Sequence, residues 1–447
     1  MINLCRYPFS GWGQAALRNC KRPGNSANIF KQKDHPIRRS LSLLLISLFI
    51  SLTLPLTASA ATERIQQPSG QSIKADKALM LDIAQAGENL IAVGDRGYIL
   101  SSSDQGKNWQ QINSPVSVAL TDVYFVDEQY GWAVGHGGVI LQTQDGGHHW
   151  QLQTDGNRIN HSTIRYYQNH LAEFETQLTT LNGVELEEAE IALEELQYKL
   201  EDAEVALEDG PSNPLLSVWF KNRNEGWAVG AYGMMLNTQD GGETWTPKHL
   251  SVPNPDGFHY NKIASISDDT AQQSTLIMVG EAGTLYRSVD SGENWQALDS
   301  PYEGSFFGFQ ALNQSGALIA YGLRGNVFIS SDQGDRWSPL NLPSRESIMA
   351  STITNNRLVL LGGSGSLWYS ALPISESNNE SNKDMNKVSG NTSIIHSDFD
   401  FKRFKLARTL PISAALKTAE QQLTLVGFGG IRSIHFNTDK TETEESK

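Results

Sequence analysis

The sequence is poor in cysteine, in cations and in long apolar runs. Cys5 and Cys20 are the only cysteines in 447 residues. Both lie near the start, so neither a disulfide scaffold nor a thiolate zinc site is available to the remainder. Lys and Arg number 35 against 49 Asp and Glu, a formal charge of −14. Duplex nucleic-acid binders gain affinity by neutralising phosphates, so this balance excludes a nucleic-acid partner. After residue 61 no stretch approaches the roughly 20 apolar residues that cross a bilayer. His136, His148 and His149 lack ligand spacing of the H-E-x-x-H kind, and no metal or cofactor is expected. Glycine is abundant instead, with 39 copies, and that points to a turn-rich chain.

Residues 40–61 read SLSLLLISLFISLTLPLTASAA. An apolar core follows Arg38-Arg39 and ends at Ala58-Ser59-Ala60, so residues 1–60 are expected to be a signal peptide with a long basic n-region. An uncleaved inner-membrane anchor is the alternative. Sec and twin-arginine export both stay open, and the absence of a cysteine at the cleavage site argues against a lipoprotein anchor. Cleavage after Ala60 leaves a cysteine-free chain of charge −21. That suits an oxidising compartment, and the expected location is the bacterial periplasm, without a membrane span in the mature chain.

Self-similarity governs residues 61–447. Five segments share a turn in which Ser or Thr precedes Asp by two residues, Gly follows two later and Trp three after that. The pairs are Asp104 and Trp109, Asp145 and Trp150, Asp240 and Trp245, Asp290 and Trp295, and Asp332 and Trp337. The carboxylate accepts backbone N–H bonds inside the turn, Gly supplies the bend, and Trp restarts a strand while burying a large side chain. Ahead of each lies an apolar strand ending in Gly-x-x-Gly, at Gly94, Gly135, Gly230, Gly280 and Gly322. Gly362 and Gly427 begin two more without the Asp turn. Seven units of about 43 residues, each holding four short strands, have the period of a propeller blade.

The expected fold is therefore all-β, a seven-bladed β-propeller. Its last blade shows only three strands. Arg64-Ile-Gln-Gln-Pro resembles the outer strand after Trp109, so the mature N-terminus is expected to close that blade. Two insertions interrupt the period. Within 156–212, Ile164, Tyr167, Leu171, Phe174, Leu178 and Leu181 are spaced by threes and fours. So are Leu186, Ala189, Leu193, Leu196, Leu200, Ala203 and Leu207, after Asn182-Gly183. This predicts an antiparallel α-helical hairpin. Residues 161–209 carry 13 acids against Arg165 and Lys199, and the hairpin is read as a partner-docking arm. Residues 374–400 are polar and aperiodic, and are expected to be disordered.

The Asp turns resemble the Asp-box, or BNR, repeat of sialidases and other propellers. With the Gly-Trp-Ala-Val-Gly and Asp-Gly-Gly-x-x-Trp phrases, the whole mature chain more closely resembles the photosystem II stability/assembly factor family, in a non-photosynthetic bacterial form with a hairpin insertion. That resemblance implies a non-catalytic, protein-binding propeller that serves the assembly of an inner-membrane complex. In photosynthetic members an arginine patch binds the reaction-centre subunit. Here the matching corners hold only Arg96 and Arg324, and an RND-type exporter subunit suits the arrangement better. Candidate partner-binding residues are the variable corner positions Asp95, Arg96, His136, Tyr232, Glu281, Arg324 and Phe428, expected on one face with the hairpin. The rival reading is a sialidase-like hydrolase or a lectin using Arg96, Arg324, Tyr232 and Glu281. No catalytic residue is assigned, because the Phe/Tyr-Arg-Ile-Pro phrase that opens sialidase domains is missing.

Overall fold

The computed structural model describes residues 64–266, 273–312, 317–373 and 399–437. The leader at 1–60, both cysteines and nearly all of the 374–400 insertion lie outside the described residues. The described chain is mostly β. It forms seven antiparallel sheets, at 80–112, 120–154, 215–247, 260–297, 306–339, 348–404 and 412–435; six have four strands and the seventh has three. The first strand of each sheet packs beside that of the next, and the seventh sheet's beside the first's. Such an arrangement is consistent with a propeller.

The second strands show why the sheets stack. Gly131–Gly135, Gly226–Gly230 and Leu276–Gly280 are buried at every position. A strand covered on both faces reads as continuous apolar sequence rather than as alternation. An apolar cluster fills each boundary between neighbouring sheets. One of them joins Met80, Ala92 and Leu100 of the first sheet to Ala414, Val426 and Ile431 of the seventh. Tryptophan adds direction to this packing. Trp132 stacks on Phe220 of the third sheet at 3.4 Å between centroids and donates its Nε1–H to the Gly241 carbonyl, 3.2 Å away. Trp227 likewise reaches the Ser291 carbonyl of the fourth sheet at 3.0 Å. The repeated Gly-Trp-Ala-Val-Gly phrase thus ties one sheet to the Asp turn of the next.

Residues 64–66 do not close the seventh sheet; they form a helical turn. Ile65 is fully buried in the cluster between the first and second sheets. The Arg64 carbonyl accepts the Ser117 N–H at 2.9 Å, and its guanidinium donates to the Ser117 carbonyl at 2.8 Å. The segment lacks the Asp turn and Trp that launch an outer strand, so its apolar residue is drawn into the nearest core instead. The first and seventh sheets are joined by side chains and by the turn Ala75–Lys77, whose Asp76 carbonyl lies against Gly430.

Two helices interrupt the sheets, α1 at Gly156–Leu178 and α2 at Val184–Asp209. Asp155 caps α1 by accepting the N–H groups of Asn157 and Arg158. Ile164, Tyr167, Leu171, Phe174 and Leu178 of α1 are buried or half-buried, as are Leu186, Leu193, Leu196, Leu200 and Leu207 of α2. Among the described residues no helix is long and apolar enough to cross a membrane.

Candidate functional site

All seven corners are built alike. The residue after the first glycine donates its N–H to the carbonyl just before the sheet's first strand: Asp95 to Leu79, His136 to Ala119, Ala231 to Pro214, Glu281 to His259, Leu323 to Ser305, Gly363 to Ser347 and Phe428 to Pro411, at 2.8–3.0 Å. That hydrogen bond brings two backbones together so closely that a methyl group on Gly135 would overlap the Ala119 carbonyl. Only glycine fits there. At Arg96, Tyr232 and Arg324 the third corner residue is left-handed, with φ of 56°, 54° and 59°. Left-handed backbone disfavours ordinary residues, so the corner is fixed by its neighbours. It turns large side chains outward, leaving Tyr232 67% and Phe428 60% exposed.

In an antiparallel sheet successive connections fall at opposite ends, so the corners share one end and the Asp turns take the other. The fold therefore places the seven candidate residues at one end but joins few of them. The Tyr232 ring lies 4.8 Å from that of His259, whose Nδ1 is 3.0 Å from Glu281 Oε2. Arg96 pairs with its own neighbour Asp95 at 3.6 Å. Among the described residues no hydrogen bond or ion pair joins Arg96, Arg324, Tyr232 and Glu281 to one another.

The hairpin leaves from the same end, because it connects the outer strand of the second sheet to the first strand of the third. Its foot leans on His249. Thr163 Oγ1 is 3.3 Å from His249 Nε2, the Met235 N–H donates to Nδ1 at 3.2 Å, and Tyr166 accepts the Leu250 N–H at 3.4 Å. Burial lowers the His249 pKa to about 4, so the ring is neutral at pH 7. Beside it opens a cleft of about 530 Å³, walled by Tyr167, Asp202, Val205, Asp209, Tyr232 and Asp256 among others. Hairpin and corner residues thus share one concave surface.

Sequence reasoning missed a belt of polar groups between the first strands. Every first strand carries a β-bulge between its first and third residues. The third residues are Asp82, Asp122, Ser217, Lys262, Gly308, Ala350 and Ala414. Lys262 Nζ pairs with Asp122 Oδ1 at 2.9 Å, and Asp122 Oδ2 accepts the Ser217 hydroxyl at 2.9 Å and the Val218 N–H at 2.8 Å. Burial and the Asp122 charge raise the Asp82 pKa well above the usual carboxylate range. Asp122 is lowered despite its burial, chiefly by Lys262. The Lys262 side chain keeps 37% of its surface open although it sits among these strands, so water reaches it. The remaining three positions are small. Gly308 leaves room for the Tyr321 hydroxyl, which a methyl there would meet. No single strand reveals this belt, since each polar residue reads as ordinary strand alternation.

At the opposite end each Asp bonds within its own turn. Asp104 accepts the Ser102 hydroxyl at 2.8 Å and both the backbone N–H and side-chain amide of Asn108, at 2.9 and 2.7 Å. Asp145, Asp240, Asp290 and Asp332 repeat the pattern. Trp109, Trp150 and Trp295 also close their own turns by donating to the glycine carbonyl three residues back, at 2.9–3.1 Å. Trp245 turns to Gln153 of the second sheet instead. Trp337 is half-buried beside its own turn. Among the described residues no group of three or more His, Cys, Asp or Glu could hold a metal ion.

Known proteins share this architecture. A family model described as photosynthesis system II assembly factor YCF48 matches residues 101–177 and 199–403, breaking off only within the hairpin. Photosystem II assembly lipoprotein Ycf48 of Synechococcus sp. (strain CC9902) is 34% identical over 108 residues, 24% of this chain and 30% of that protein. Photosystem II assembly protein Ycf48 of Thermosynechococcus vestitus is 25% identical over 121 residues, 19% of this chain and 35% of that one. The matches span about a third of these relatives' lengths. Among solved structures, YCF48 bound to D1 peptide covers 83% of this chain and 98% of its own at 14% identity, with a TM-score of 0.51. YCF48 from Cyanidioschyzon merolae covers 82% and 97% at 12% identity, with a TM-score of 0.50. The family model accounts for well over half of the sequence, and the chain belongs to the photosystem II assembly factor YCF48 family.

Proposed function

We propose that this protein is a seven-bladed β-propeller exported to the periplasm, where it binds a segment of an inner-membrane complex during assembly without catalysing a reaction. The observation that carries the reading is the row of corners. Seven backbone-locked turns at one end hold Arg96, His136, Tyr232, Arg324 and Phe428 outward on an unyielding support, as a recognition surface requires. Curated relatives are named photosystem II assembly proteins and one solved relative is bound to D1 peptide, which supports a peptide client. With Arg96 engaged by Asp95, the client for this chain is one that reads aromatic and mixed-charge corners rather than an arginine patch. Neither an exporter subunit nor a sugar is favoured by any contact described above. A sialidase would need Arg96, Arg324, Tyr232 and Glu281 to converge on one substrate.

The test is affinity capture from solubilised inner membranes, comparing the full mature chain with an Arg324→Ala/Phe428→Ala variant. The expected result is loss of a defined membrane-protein set in the variant at unchanged melting temperature. Equal capture by both forms would discard the reading, and turnover of a chromogenic sialoside would replace it.

A further inference from the structure

α2 carries an apolar line that the hairpin itself does not use. Its sequence runs as heptads, VELEEAE, IALEELQ, YKLEDAE and VALED. The third positions, Leu186 to Leu207, and the sixth, Ala189, Leu196 and Ala203, turn toward α1 and are buried or half-buried. The first positions are Val184, Ile191, Tyr198 and Val205, and they are 69%, 61%, 58% and 56% exposed. At 100° per residue this line lies opposite the seam. The fourth position, always Glu, borders it on one side, and the fifth, Glu188, Glu195, Asp202 and Asp209, on the other. An apolar line repeating every seven residues between two rows of carboxylates is the form of half a coiled-coil interface.

We propose that this face docks a basic amphipathic helix supplied by a partner protein. The apolar line spans about 32 Å at 1.5 Å per residue, so it matches a partner helix of about 20 residues. The flanking carboxylates call for Lys or Arg beside the partner's own apolar line. A second copy of this chain is disfavoured, since it would set acid rows against acid rows. Continuity supports the assignment: Asp202, Val205 and Asp209 at the foot of the line also wall the cleft that Tyr232 borders. A helix seated on α2 is thereby led to the corner end of the sheets. The proposal deepens the assembly reading and rests on it for the source of the partner.

The probe is a 21-residue peptide with one leucine per heptad flanked by lysines, measured by fluorescence anisotropy against the full mature protein. A scrambled peptide of equal composition is the control. The expected results are binding that weakens with salt, at least about tenfold weaker binding of the scrambled peptide, and a similar loss in I191S/Y198S and E194K/E195K. Circular dichroism checks that both variants stay helical, and neither touches the seam. Equal binding of the two peptides, or wild-type affinity in the variants, would overturn the proposal. So would sedimentation showing a dimer that I191S/Y198S dissolves. The Arg324→Ala/Phe428→Ala variant separates the two readings: it should retain peptide binding. If it also captures membrane proteins normally, the assembly reading fails and the helix-docking face stands.

Discussion

Single residues decide whether each sheet closes at both ends. At the Asp turns one carboxylate satisfies a hydroxyl and a backbone N–H four residues on, so Asp290→Ala should cost about 1–2 kcal/mol. At the corners the constraint is steric. A methyl on Gly322 would overlap the Ser305 carbonyl, which is backbone and has nowhere to go. Gly322→Ala should therefore cost about 2 kcal/mol or more, the larger loss, and urea titrations with an unchanged m-value would rank the two. The carboxylates also set the acid limit. The backbone N–H of Asn108, then its side-chain amide, lowers the Asp104 pKa from 3.8 to about 2. A depressed carboxyl contributes fully above its unfolded pKa and loses its contribution as pH falls through the folded one. Thermal melts should show a separate decline between about pH 4 and pH 2, and Asp104→Asn should shallow that limb. All these residues were legible in the sequence because the spacing recurs five times. The tryptophan N–H that closes the same turn was not, since nothing in the spacing tells an indole which carbonyl to seek.

The hairpin shows how far an element can be read in advance. Two runs of apolar residues at threes and fours, parted by Asn182-Gly183, fix both helices and their mutual face, because helical periodicity is a local property. Its attachment is not local. His249 lies 82 residues beyond Tyr167 in a short turn, His249–Ser251, and nothing in the neighbouring sequence marks it as the support for the foot. Its ring is kept neutral by burial, with the pKa falling from 6.5 to about 4. The sign follows from linkage: the contribution is complete above pH 6.5 and drains away as the pH drops toward 4, where the unfolded chain takes up the proton and the docked ring does not. Tyr166, Tyr167, Thr163 and Lys199 face the ring, and Lys199 further disfavours its protonation. The melting temperature followed at 222 nm should fall between pH 6.5 and 4, and His249→Gln should remove most of that slope. A ring that titrates near 6.5 by NMR would show the foot to be undocked at neutral pH.

At the scale of the molecule, seven near-copies give the count of sheets directly from glycine spacing, since a repeat that cannot bury its own faces must stack on its neighbours. The seam between first and last departs from expectation at Arg64-Ile-Gln-Gln, because its likeness to the strand after Trp109 suggests a strand, whereas the fold buries Ile65 between the first and second sheets. The belt between the first strands was hidden for a related reason. Asp82, Asp122, Ser217 and Lys262 become equivalent only once seven bulges set their strands in register. That belt links four sheets through one ion pair and several hydrogen bonds, and its two acids answer pH in opposite senses. The contribution of Asp122, whose pKa is lowered, is lost as pH falls; that of Asp82, whose pKa is raised, is present in acid and lost as pH rises through its folded value. Lys262→Met should leave Asp122 without its cation and cost about 2–4 kcal/mol, the range allowing for the water that reaches the side chain. Asp82→Asn should cost well under half as much, because burial and the Asp122 charge favour the neutral form of Asp82 and an amide keeps the acceptor that the Val123 N–H uses at 3.0 Å. Denaturant titration of both variants at pH 7 orders them, and a costlier Asp82→Asn would mean that the negative charge resides on Asp82 rather than on Asp122.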